Sequence, residues 1–380
     1  MKRITQILIL LMLVQVACTV HPDKEIRPFA IQTHLIPAEN RINVAFGMTD
    51  NSFGVLMDDP RNNGTLFYKY GADLVLKDSV LLAGIRYSAP AFDEDGNMIF
   101  LGFDPSNFND VMATQVNNDL QVIQNKILNP VLPPGSGPKY NPVICRLTHG
   151  DYVIGYTLER PGIGKAYRMI FCCLSDVFSA SQRKWEITPI TSSGDWIETL
   201  STSHDGGFYV AGRNRFDVDE NFVIKFTSDG TKLWEDLFPF AGSSYGVLET
   251  NDFVYFADLL NLYQTDLNGN TVKTIEHTTG PYAAPVSSFI ESNGKLFYVA
   301  DRINPDGFFI EIRRLNTSLE QEKSIIRGST GTNDVTFEKR HLIKLNNGKM
   351  IVLANVQTPS RFGSYWLVLP FNDELKLEGE

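Results

Sequence analysis

The chain has 380 residues, 43% of them hydrophobic and 11% aromatic, which is enough to bury a large core. Its 34 basic residues against 44 acidic ones give a formal charge of −10. A surface of that sign repels a phosphate backbone, so nucleic acid is excluded as the expected partner.

The first element in chain order is an export signal: Lys2 and Arg3, an apolar run from Ile4 to Val16 interrupted by Thr5, Gln6 and Gln15, then small residues ahead of a cysteine. The run is too short to span a bilayer, so 1–17 reads as a segment that is removed. The junction VQVAC, Val14 to Cys18, resembles a bacterial lipobox, with Gln15 where that family usually carries Leu. The resemblance implies that Cys18 receives lipid; the residues of 18–27 read as a polar tether, and 28–380 as a single exported domain. No later stretch is apolar for the roughly 18 residues that a membrane helix needs, so the membrane is met through the N-terminal lipid only. The expected location is the bacterial cell envelope, at the outer membrane.

From there the chain repeats. A polar turn followed by an apolar strand recurs as DEDGNMIFLGFD from Asp93, THGDYVIGYTLE from Thr148, SHDGGFYVAGRN from Ser203, ETNDFVYFAD from Glu249, ESNGKLFYVAD from Glu291 and LNNGKMIVLAN from Leu345. The turns centre on Asp50, Gly96, Gly150, Gly206, Asp252, Gly294 and Gly348, at separations of 42 to 56 residues. Glycine and asparagine suit them because tight hairpins need positive φ. A β-rich repeat of about 50 residues marks a propeller blade, whose sheet buries its faces only against neighbouring blades. The expected fold is therefore all-β, a β-propeller of seven four-stranded antiparallel blades, at about 30–82, 83–129, 140–190, 194–239, 243–278, 282–327 and 334–377.

Second turns support this count: VNND from Val116, TSDG from Thr227, LNGN from Leu267, NTSL from Asn316 and FNDE from Phe371. DVFSASQRKW, from Asp176, reads as an excursion between the third and fourth strands of blade three. The run FVIKFTSDGTKLWEDLF in blade four resembles pyrroloquinoline-quinone-like propeller repeats, in which an apolar strand, an Asp/Asn-Gly turn and a Leu-Trp pair recur. That resemblance implies a fold and no chemistry. Exported propellers of this kind with a lipidated cysteine are similar to uncharacterised surface lipoproteins of Bacteroides-like bacteria.

No cofactor or metal site is read from the sequence. Asp217, Asp219 and Asn221 have the spacing that opens an EF-hand loop, but Phe222 holds the glycine position and Ser228 the bidentate glutamate position. The histidines have no ligand spacing, and neither GxSxG nor HExxH occurs. Cys172 and Cys173 have two readings: the vicinal disulfide of some quinone-dependent alcohol dehydrogenases, or two strand residues on opposite faces. Aligning RMIFCCLSD with NFVIKFTSD sets Cys173 at the Phe226 position, buried, and Cys172 at the Lys225 position, exposed.

In a blade, the first-to-second and third-to-fourth turns share one face of the disc, and the remaining connections share the other. Here the first face carries terse turns and the second carries the long loops, where binding tends to reside. Each second strand ends in an oxygen-bearing side chain: Asp58, Asp104, Glu159, Asn214, Asp258, Asp301 and Asn355. These form either a ring of acceptors for sugar hydroxyls or local acceptors for backbone N–H groups. Aromatics enter the innermost strands at Tyr87, Tyr140, Trp196, Tyr245, Tyr282 and Phe337, either rimming the central mouth or filling the core. Arginines in the same loops include Arg213 and Arg302. The candidate ligand-binding set is Tyr87, Tyr140, Trp196, Tyr245, Tyr282, Arg213, Arg302, Asp104, Asp258 and Asp301. The expected activity is capture of a glycan, peptide or envelope protein on the long-loop face, with a glycoside hydrolase or lyase using top-face carboxylates as the alternative.

Overall fold

In the computed structural model the described residues are 35–36, 42–59, 61–128, 142–159, 167–179, 183–188, 195–214, 220–239, 246–257, 261–276, 289–304, 307–330, 336–357 and 364–377. They form seven four-stranded antiparallel sheets, and no helix occurs among them. Six sheets take four consecutive strands, giving blades at 42–82, 91–128, 143–187, 195–239, 247–276 and 289–330. Blade seven takes its three inner strands from 336–371 and its outermost from the other end of the described chain: Leu35 and Ile36 pair with Tyr365 and Ser364. The ring is thereby closed by hydrogen bonds, which leaves no open seam between first and last blades. This corrects the expected first blade, which began at 30 and so included Leu35 and Ile36.

The second and third strands of each blade are buried on both faces because a neighbouring blade stands on each side. Strand Phe53–Asp59 and strand Met98–Asp104 are almost wholly buried, whereas outermost strands such as Leu76–Leu82 are largely exposed. The core is accordingly divided among the seams. Seven apolar clusters are present, each joining one blade to the next; Phe208, Ile224 and Phe226 of blade four, for example, pack on Val153 and Phe171 of blade three. A single blade has no interior of its own, which is why a repeat of this kind is stable only as a ring.

Each seam is also latched on the short-turn face. In six blades the third-to-fourth connection is a tight turn whose second residue offers its carbonyl to the preceding blade. Lys349 Nζ donates to Ala72 O, Lys69 Nζ to Asn118 O at 2.6 Å, Trp185 Nε1 to Ser228 O at 3.0 Å and Trp234 Nε1 to Leu267 O at 3.1 Å. Gln264 Nε2 donates to Thr317 O at 2.8 Å and Arg314 Nη1 to Asp373 O at 2.8 Å. Blade three has a longer connection, and Lys126 Nζ reaches Ser179 O there at 2.6 Å.

The fourth residue of these turns has positive φ and takes one of two forms. Leu74, Leu120, Leu319 and Leu375 adopt φ of 63°, 58°, 59° and 54° and turn their side chains into the seam clusters. Gly230 and Gly269 occupy the same place in blades four and five, where Ile187 with Trp185, and Trp234, of the preceding blades fill the space a leucine would take. The Leu-Trp signature of blade four is thus half of a packing exchange across a seam.

Blade three departs from the sequence expectation in two respects. Trp185, within QRKW, belongs to the fourth strand Arg183–Ile187 rather than to the excursion. The third strand is shifted by one against the alignment: Val153 pairs with Cys173 as Tyr209 pairs with Lys225, so Cys173 holds the Lys225 position and Leu174 that of Phe226. The two cysteines do face opposite ways, but both are buried, and Cys145, Cys172 and Cys173 are all free thiols.

Candidate functional site

The structure brings two of the candidate residues together. Trp196, in strand Asp195–Thr202, is the antiparallel partner of Arg213, in strand Phe208–Asn214, at the end of blade four where both strands meet the long-loop face. The guanidinium carbon lies 4.2 Å from the centre of the indole, and Nε is 3.0 Å from Glu198 Oε1. Trp196 is only 5% exposed, so it does not offer a free stacking face. It is the platform on which Arg213 rests.

Two local features make this geometry. A register irregularity between Ile197 and Thr199 leaves Glu198 as the extra residue of a β-bulge and brings its carboxylate to the guanidinium. Opposite it, Gly212 admits the Trp196 carbonyl so closely that a Cβ there would stand 1.9 Å from the oxygen. An arginine stacked on an aromatic and braced by a carboxylate is held in one orientation before any ligand arrives, which lowers the ordering cost of binding. Sequence reasoning found Trp196 and Arg213 but not Glu198, because a bulge breaks the two-residue period that assigns side chains to faces.

Tyr87 is a correction. It is fully buried in the seam between blades one and two, packed edge-on against Phe100, and its hydroxyl accepts from Gly84 N at 3.0 Å and lies 2.6 Å from Thr114 Oγ1. Burial raises its pKa, and it reaches no mouth. Asp104 accepts from Ser106 N at 2.8 Å and from Ser106 Oγ at 2.7 Å, a turn within its own loop. Asp301 and Arg302 stand in strand Lys295–Asn304 opposite Ile310 and Phe309. Cys18, Tyr140, Tyr245, Tyr282 and Asp258 lie outside the described residues.

Where strand-end polar side chains are described, they act on backbone. Asp58 accepts from Arg86 N at 2.9 Å, and Asn355 accepts from Ile42 N at 3.3 Å, so each holds the chain entering the next blade. Thr157 does the same for Ile197 N at 3.3 Å, two positions before Glu159, where the sequence pattern pointed. These contacts support the structural reading of the recurrent oxygen.

A cavity of about 470 Å³ runs along the inner strands of blades two to four, lined by Ala91, Ile144, Leu200 and Thr202 among others. Arg146 at its edge pairs with Glu94 at 2.8 Å. Among the described residues no three His, Cys, Asp or Glu side chains stand together as a metal site, and no helix is long and apolar enough to cross a membrane.

Comparison with known proteins places this architecture without assigning it a role. No protein-family model matches the chain, and no curated protein matches it by sequence. Among solved structures it is similar to the WD40 domain of Neurospora crassa Pan2, at 11% identity and TM-score 0.52, over 92% of this chain and 92% of that one. It is similar to the Dos1 propeller, at 10% identity and TM-score 0.52, over 90% of this chain and 81% of that one. A protein of unknown function from Bacteroides caccae aligns at 11% identity and TM-score 0.44, over 69% of this chain and 89% of its own. Likeness at such identities is likeness of fold: the chain is a seven-bladed β-propeller.

Proposed function

We propose that this chain is a binding propeller of the bacterial cell envelope, tethered by lipid on Cys18, that takes a glycan, peptide or partner protein against its long-loop face. The observation that carries the reading is the braced Arg213. It is the one described cation at that face that is both stacked on an aromatic and paired to a carboxylate, an arrangement suited to a carboxylate or hydroxyl-bearing ligand. The asymmetry of the disc supports it. On the opposite face the third-to-fourth turns are committed to seam latches, while the strand ends joined by 129–142, 188–194 and 277–288 all open on the Arg213 side.

Tethering is tested by growing cells on a clickable palmitate analogue. The native chain takes up label and sediments with membranes, and Cys18→Ala takes up none and is released to the soluble fraction. Label-free native chain at the membrane would exclude the lipid anchor while leaving the binding face to be judged separately.

A further inference from the structure

On the face opposite Arg213, the turns of blades four and five border an open recess of about 670 Å³ that the proposed binding role does not use. Part of its wall is apolar, the indole of Trp234 and the side chains of Leu233 and Leu267, the two leucines being 51% and 37% exposed; Thr250, Asn251 and Asn268 line the rest. Its floor is charged. The Lys225 and Glu249 side chains, at 4% and 5% exposure, both line it, and Asp205 lies between the floor and the mouth.

The charges do not balance. Lys225 Nζ is 2.6 Å from Asp205 Oδ2 and 3.9 Å from Glu249 Oε1, so one ammonium serves two carboxylates. The second Glu249 oxygen accepts from His204 N at 2.8 Å, which fixes that carboxylate in place without neutralising it. Two carboxylates and one ammonium leave an excess negative charge in a partly desolvated recess, where its field is poorly screened. Of the two carboxylates only Glu249 is buried, Asp205 being 52% exposed, so a cation entering from the mouth offsets the cost of the buried one, and the tryptophan beside it adds attraction. A volume of this size is in the range of small-molecule sites.

We propose that this recess binds a protonated alkylamine, its ammonium directed to Glu249 and Asp205 and its apolar stem laid against Leu233, Trp234 and Leu267. The same chemistry is presented by a free diamine and by a lysine side chain of a peptide. Neither the Trp196–Arg213 pair nor the long-loop face takes part, so the two sites stand or fall separately.

The test is calorimetric titration of the purified full chain with pentane-1,5-diamine and with Nα-acetyl-lysine methylamide, using pentan-1-ol as the uncharged control. Saturable binding of either amine and none of the alcohol is expected; the tighter amine identifies the source of the ligand. Glu249→Gln is expected to weaken binding about tenfold, as loss of a desolvated charge partner does. Because that side chain is buried and its loss can impair folding, Asn268→Asp on the exposed turn supplies the converse. It adds a carboxylate at the mouth and is expected to tighten binding about threefold. Trp196→Phe leaves the affinity unchanged. Failure of both amines to bind the folded chain, equal binding of the alcohol, or no response to Asn268→Asp would each overturn the proposal.

Discussion

The indole of Trp234 lies against Gly269 across the seam between blades four and five: a Cβ on Gly269 would stand 2.6 Å from Trp234 Cδ2, and the indole N–H donates to Leu267 O at 3.1 Å. Gly269 also has φ of 87°. Gly269→Ala therefore meets both a steric clash and a disfavoured backbone, and is expected to cost about 2–4 kcal/mol in denaturant unfolding. In a Trp234→Ala background the clash is gone, and the same substitution is expected to cost about 1 kcal/mol. Equal costs in the two backgrounds would mean that the tryptophan does not occupy the leucine's place.

Acid is expected to loosen the short-turn face. Burial by itself would raise the pKa of Asp50 and Asp205, but hydrogen bonds from Lys69 and Ser52 to the one, and from Lys225 and Gly207 to the other, with the lysine charges, together hold both carboxyls below their ordinary value; Lys184 and His149 together do the same for Asp151. A carboxyl whose pKa is lower folded than unfolded stabilises the fold above its unfolded value of about 3.9 and loses that contribution as pH falls through the folded value. Melting temperature should drop as pH falls below about 4. Lys69→Met and Lys225→Met should each make that drop shallower, whatever they do to stability at pH 7.

The thiols should be silent in the native state. Burial pushes Cys145 up to about 12 and Cys173 up to about 11, and raises Cys172 as well. With thiolate suppressed and access closed, a disulfide reagent at pH 8 should label none of the three until the ring unfolds. The chain has four cysteines, so a denatured sample carrying lipid on Cys18 titrates three thiols and an unlipidated one titrates four.

The ring closure should be sensitive at one amide. Asn355 is buried, accepts from Ile42 N at 3.3 Å and sits 3.5 Å from Ile42 O, joining blade seven to blade one. Asn355→Leu leaves the Ile42 N–H without that acceptor and is expected to cost about 1–3 kcal/mol. Hydrogen exchange should show the loss concentrated at the seam between blades seven and one.

The blades were legible because the first turns carry Gly or Asn at positions that demand positive φ, as Gly96, Gly150, Gly206, Gly294 and Gly348 do. The closing strand was not, since two residues, Leu35 and Ile36, carry no period. Blade three's one-residue slip arose where its third turn lacks the tight five-residue form that anchors alignment in the other blades. The site was half legible. Tyr87 and Trp196 look alike in sequence, each an aromatic ahead of a turn, but a neighbouring blade covers one and an arginine covers the other. Period tells which way a side chain points within its sheet and nothing of what stands across the seam.

The most direct measurement is a side-by-side panel of envelope polysaccharides, peptides and outer-membrane proteins, with affinities compared for the native chain, Arg213→Ala, and Asn268→Lys on the opposite face. The account predicts at least one ligand whose affinity falls about tenfold or more, roughly 1.4 kcal/mol, in Arg213→Ala and is unchanged in Asn268→Lys. A ligand held equally well without Arg213, or lost only on changing the short-turn face, would contradict it.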